Sequence, residues 1–212
     1  MRLRPITPER FVDELADTLA AGARERSRLR VAVDGAPAAR PEELADTLVD
    51  PLRLRGIATV RVSAWDFQRP ASVRLERGRT NPAARSADWV DAGALRREVL
   101  LPLGEDGNGY LLPALWDTTT DRSVRASRQP LPTPGVLLLD GELLLGRQLP
   151  FDHVVHLWLS HPALARKTPP DEHWALPAYQ RYERTVNPLV VADTVLRVDE
   201  PRRPALRVAT ER

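Results

Sequence analysis

Apolar residues recur along the chain in two alternating rhythms. After Thr7-Pro8-Glu9, Phe11, Leu15 and Leu19 are spaced four apart, which predicts a capped amphipathic helix over 7–22 with Gly22 closing it. Arg30 to Gly35 is a short apolar run ending in Asp-Gly, the pattern of a buried strand feeding a turn. Pro41 opens a second helix that runs to about Leu54 and is punctuated by Gly56. Thr59 to Ser63 alternates as a strand, and Ala92 to Leu101 carries a helical period. Three further strands are expected at 134–141, 153–159 and 192–198, and the proline-rich stretches 129–134 and 168–177 read as loops.

Strands alternating with helices imply βαβ units. The expected fold class is therefore α/β, three layers deep, with about five parallel strands in the central sheet and helices on both faces. In such sheets ligands sit beyond the carboxyl ends of the strands. That rule draws attention to Asp34, to Ser63 through Phe67, and to Asp140.

Composition narrows the functional classes. The 212 residues, 42% of them hydrophobic, suit a single domain over 1–212 with a substantial core. No apolar run is long enough to span a membrane, and Met1 to Pro5 leads straight into a charged segment without the apolar stretch of a secretory signal. There are no cysteines, which excludes disulfides and thiolate chemistry and fits a cytoplasmic location. A formal charge of +2, with basic residues scattered, gives no nucleic-acid surface. His153 and His156 fall on opposite faces of a strand, and His161 and His173 lie in separate loops, so no metal site is expected.

The order of these segments resembles the uridine kinase-like branch of the P-loop kinases, relatives of phosphoribulokinase. Val31-Ala32-Val33-Asp34-Gly35 resembles the first strand and opening glycine of the phosphate loop. Ser63-Ala64-Trp65-Asp66-Phe67 stands where the family has Ser-x-Asp-Asp-Phe, and Arg77-Gly78-Arg79 with Pro82 resembles its Arg-Gly-Arg-x-x-Pro. Asp88 to Leu95, Asp117 to Asp121, Val136 to Gly141 and Pro188 to Asp193 complete the series. The resemblance implies a P-loop fold over nearly the whole chain, a phosphate loop over 31–43 and a lid over about 161–184. It also implies nucleotide-side roles for Gly35, Arg40 and Asp140, with Asp66 as the remaining candidate base. Arg79, Asp88, Trp116, Asp121, Arg166 and Arg184 become substrate-side candidates.

The chain departs from the family where phosphate chemistry is done. In G-x-x-x-x-G-K-[ST], backbone amides and lysine hold the phosphates and the hydroxyl holds Mg²⁺. In the same register this chain has Gly35, then Arg40 for the second glycine, Pro41 for lysine and Glu42 for the hydroxyl. Pro37 and Pro41 have no amide hydrogen, and Glu42 and Glu43 occupy the helix terminus that would attract an anion. Trp65 replaces the first aspartate of the family's pair. The expectation is a degenerate loop and a pseudokinase with a binding or regulatory role, without a cofactor. ATP and Mg²⁺ enter only under the alternatives: an atypical kinase that uses Arg40, or a repurposed catalyst. A small molecule or a protein is the expected partner, and a homodimer is left open.

Overall fold

The structure, a computed structural model, describes residues 2–208. Seven strands form the central sheet: β1 (Leu3–Pro5), β2 (Arg28–Gly35), β3 (Ala58–Ser63), β4 (Gly135–Gly141), β5 (His153–Trp158), β6 (Thr194–Arg197) and β7 (Ala205–Arg207). Their order is β1-β7-β6-β5-β2-β4-β3. The five strands expected from the sequence are all present and mutually parallel. The sheet is nevertheless mixed, because β7 runs antiparallel to β6 and β1 antiparallel to β7.

Helix α1 (Pro8–Arg26) begins where the pattern predicts, with the Thr7 hydroxyl accepting from the Arg10 amide at 3.3 Å. It does not stop at Gly22 but continues to Arg26. Gly22 serves close packing instead: a Cβ there would lie 3.3 Å from the Leu29 side chain. Helix α2 (Pro41–Leu54) has Pro41 in its first turn. Phe11, Leu15 and Leu19 of α1 and Leu48 and Leu52 of α2 cover one sheet face, over Val31, Val33, Val136 and Leu138.

The other face carries Ala32, Leu137 and Leu139 against Phe67, Leu95, Val99 and Leu131. The expected helix at 92–101 is present as a run that passes from α to π to 3-10 geometry between Ala92 and Leu103. Short helix α3 (Pro82–Ala87) and the two helices of the lid-like segment, α4 (His161–Lys167) and α5 (Leu176–Thr185), gather over the carboxyl edge. A third apolar cluster, containing Leu143, Leu159, Leu164 and Tyr179, packs the lid onto that edge. No helix among the described residues is long and apolar enough to cross a membrane.

Candidate functional site

The segment after β2 is a closed turn. Pro37–Ala39 is one turn of 3-10 helix; the Ala39 amide donates to the Ala36 carbonyl at 2.8 Å, and the Arg40 amide to that of Pro37 at 2.9 Å. The Glu43 amide donates to the Arg40 carbonyl at 3.2 Å. Gly35 is required by close approach, since a Cβ would lie 3.1 Å from the Leu157 Cβ. Arg40 sits in the left-handed region at φ 61°, ψ 54°. An arginine thus holds the backbone shape where the resemblance expects glycine. Its guanidinium pairs with Glu43 and is largely exposed.

The carboxylates at this edge divide between the two faces of the sheet. Asp34 stands opposite Gly141 and His156, whereas Asp140 stands opposite Val33 and Ser63. Strand alternation therefore turns Asp140 toward α2 and Asp34 toward the lid. The expected meeting of Asp34, Asp66 and Asp140 at one end of the sheet holds for the edge, but Asp34 and Asp140 turn to opposite faces. Asp140 is buried and accepts from Arg61 Nε at 2.7 Å and the Ser63 hydroxyl at 3.1 Å. Burial raises its pKa, against the pull of Arg61.

Asp34 is fully buried. It accepts from the Leu144 amide at 2.9 Å and the Tyr182 hydroxyl at 3.0 Å, and it lies 2.7 Å from His156 Nδ1. Leu143, held at φ 54°, brings the Leu144 amide round to it. Asp66 follows β3 in the 3-10 turn Ala64–Phe67. Partial burial pushes its pKa up, and the negative charge of Asp140 adds to the shift.

The most heavily built part of the edge was not legible in the sequence. Arg85, buried on α3, donates through Nε and Nη2 to Glu142 at 2.9 and 3.3 Å and through Nη1 to Glu172 of the lid at 2.6 Å. Its guanidinium carbon lies 4.9 Å from the ring centre of Trp89, 5.3 Å from Trp174 and 5.8 Å from Trp65. Tyr179 donates to Glu142 as well. Burial opposes the charge on Arg85, but the neighbouring Glu142 more than restores it and holds the guanidinium protonated. Arg85 stands in the alanine-rich stretch Ala83 to Ala87. The aromatic bulk around it comes from Trp89, four residues on, and from Trp65 and Trp174, which are distant in the chain. Among the described residues, no three His, Asp or Glu side chains converge as a metal-ligand set.

Between this cluster and the turn at Ala36 to Ala38 lies a cleft of about 320 Å³, walled by Trp65, Trp89 and Tyr179. The other substrate-side candidates do not gather around it. Arg79 is exposed, and Asp88 pairs with Arg77 rather than Arg79. Asp121 accepts from the Ala71 amide at 2.9 Å and Trp116 Nε1 at 3.0 Å, fastening a hairpin in place. Arg166 is exposed, 3.8 Å from Glu200, and Arg184 is exposed on α5. The sequence pattern marks no element around Arg79, Asp88, Trp116 or Asp121, and for Arg166 and Arg184 it marks only a lid-like segment, without side-chain direction. Of the assigned residues, Gly35, Asp66 and Asp140 share the carboxyl edge, and Trp116 and Asp121 are brought together on a hairpin whose Leu115 amide donates to the Asp66 carbonyl.

No protein-family model and no curated protein matches the sequence. Solved structures do match the fold. A possible uridine kinase from Bacillus stearothermophilus is 20% identical, with a TM-score of 0.70 over 87% of this chain and 96% of that one. A candidate fructose transport system kinase from a Silicibacter species is 15% identical, with a TM-score of 0.59 over 83% of this chain and 93% of that one. The chain has the three-layer α/β fold of the P-loop kinases.

Proposed function

We propose that this chain is a uridine kinase-like P-loop protein that binds a ligand without transferring phosphate, in a regulatory or scaffolding role. The observation that carries this reading is the turn after β2. Two of its amides are consumed within it, Pro37 and Pro41 supply none, and Arg40 is paired with Glu43. ATP with Mg²⁺ does not fit such a site. Its charge would meet Glu42 and Glu43 at the start of α2, where the family places lysine and hydroxyl. Because phosphoryl transfer depends on positioned charge, removing even one donor costs about 10²–10³ in rate. Here several are replaced together.

Calorimetry with ATP and Mg²⁺ tests the reading, the expected result being no saturable binding up to millimolar nucleotide. A micromolar site would overturn it. The triple variant Arg40→Gly, Pro41→Lys, Glu42→Thr should gain nucleotide affinity while turnover stays low, because Trp65 still occupies the position of the family's base.

A second reading, an atypical kinase for a nucleoside or other small molecule, is favoured by Asp66 alone. Its raised pKa suits a proton acceptor, and it directly follows Trp65, which lines the cleft. That reading requires ATP binding that Arg40→Ala abolishes.

A further inference from the structure

The cleft under the lid is of a size that takes a small ligand, since such pockets start at roughly 300 Å³. Its walls are chiefly Pro37, Trp65, Trp89, Ala175 and Tyr179. Trp65 is 36% exposed, so an indole remains open to an occupant. The one cation in the wall is already satisfied. Arg85 is committed through Nε, Nη1 and Nη2 to Glu142 and Glu172, so it offers no free fork to a phosphate or carboxylate. Two carboxylates contact this one guanidinium. Glu142 has both oxygens engaged, whereas Glu172 has a side chain 42% exposed and meets Arg85 through Oε2. Spare acceptor capacity at the cleft is thus anionic, and the open surface beside it is an aromatic face.

The turn that contributes Ala36, Pro37 and Ala38 to the cleft supplies few donors: Pro37 has no amide hydrogen, and the amides of Ala39 and Arg40 are spent inside the turn. Where a phosphate-binding cleft collects N–H donors and cations, this one presents indole and carboxylate. Indole faces with carboxylates are the surroundings in which organic cations are held, and Arg85 among three tryptophans shows the same chemistry filled by the chain's own cation.

We propose that the cleft walled by Trp65 and Glu172 is a binding site for a small organic cation, a quaternary ammonium or protonated amine. The inference rests on the reading of this cleft as a ligand site without phosphoryl transfer. The cationic head lies against the open part of Trp65, within reach of Glu172, and the non-polar remainder lies along Pro37 and Ala175. No covalent step is involved.

Calorimetric titration of the full chain with choline, with its neutral isostere 3,3-dimethylbutan-1-ol, and with inorganic phosphate tests the assignment. Choline should bind saturably, and the isostere about 5–20-fold more weakly, the range set by a cation–π contact with partial desolvation. Trp65→Ala should weaken choline by a similar factor, with Trp65→Phe restoring part of it. Because Trp65 has no hydrogen-bonding side-chain role in the lid, this variant tests the site even if Glu172→Gln loosens the fold. Equal binding of the isostere would overturn the proposal, as would saturable phosphate binding that Trp65→Ala reduces. The absence of saturable binding by choline, tetramethylammonium and benzylamine alike would also overturn it. Those failures leave the absence of ATP binding untouched, while a micromolar ATP site would sink the broader reading independently.

Discussion

At the scale of the residue, Arg40 shows how the turn after β2 is held. The backbone is left-handed at this position although the residue carries a full side chain. For a non-glycine residue that conformation costs roughly 1–2 kcal/mol, and its exposed pair with Glu43 returns little. Arg40→Gly should therefore stabilise the protein, by about 0.5–1 kcal/mol once the greater freedom of unfolded glycine is subtracted. It should do so without conferring nucleotide binding, because Pro41 and Glu42 remain. Denaturant unfolding checks the first part, and a loss of stability would show that the Glu43 pair matters more than the backbone. Residue-level legibility follows the same logic. Asp34 and Asp140 could be found because Asp-Gly at a strand end is a local signal. Arg85 could not, because its partners Glu142, Glu172, Trp65 and Trp174 lie far away in sequence and only the fold brings them together.

At the scale of the element, the parallel strands were readable from apolar runs, whereas the ion pairs that fasten their ends were not. Arg30 on β2 donates to Asp152, just ahead of β5, from its amide at 2.9 Å and from Nε and Nη2 at 2.8 Å each. Burial would raise the pKa of Asp152, but these bonds outweigh it and hold the carboxyl below its ordinary value. A folded-state pKa below the unfolded one contributes stability above the unfolded value, about 3.9, and loses it as pH falls through the folded value. Asp152→Asn should cost about 2–3 kcal/mol at pH 7, since a largely buried arginine loses its charged acceptor. The gap between wild type and variant should narrow below about pH 4. Unfolding curves collected across that range check both statements, and a gap independent of pH would show that Asp152 acts only through its shape. The lid is fastened in a related way, through Tyr182 to Asp34, Tyr179 to Glu142 and Glu172 to Arg85. The substrate-side candidates Arg166 and Arg184 are exposed and take no part in these contacts.

At the scale of the whole molecule, the sheet is larger than the sequence pattern implies. The missing strands, β1 and β7, are three residues each and only partly buried, so neither has an apolar run to announce it. They extend the sheet beyond β6: β7 pairs with β6, and β1 pairs with β7, Leu3, Arg4 and Pro5 lying opposite Arg207, Leu206 and Ala205. Arg207 adds side-chain bonds to the carbonyls of Leu189 and Ala192, tying this corner to the helix Pro188–Val191. Removing residues 1–5 would leave Ile6 and the Thr7 cap of α1 in place but strip the outer partner from β7. With net hydrogen bonds worth about 0.5–1.5 kcal/mol each, the loss should total about 2 kcal/mol. In a domain of this length that corresponds to a fall in Tm of roughly 4–8 °C. The deletion should also make the protein prone to self-association, because an uncovered strand edge is a template for pairing. Thermal melting and size-exclusion chromatography of the shortened chain measure the two effects together. An unchanged Tm with a monodisperse profile would show that β1 rides on the sheet without stabilising it.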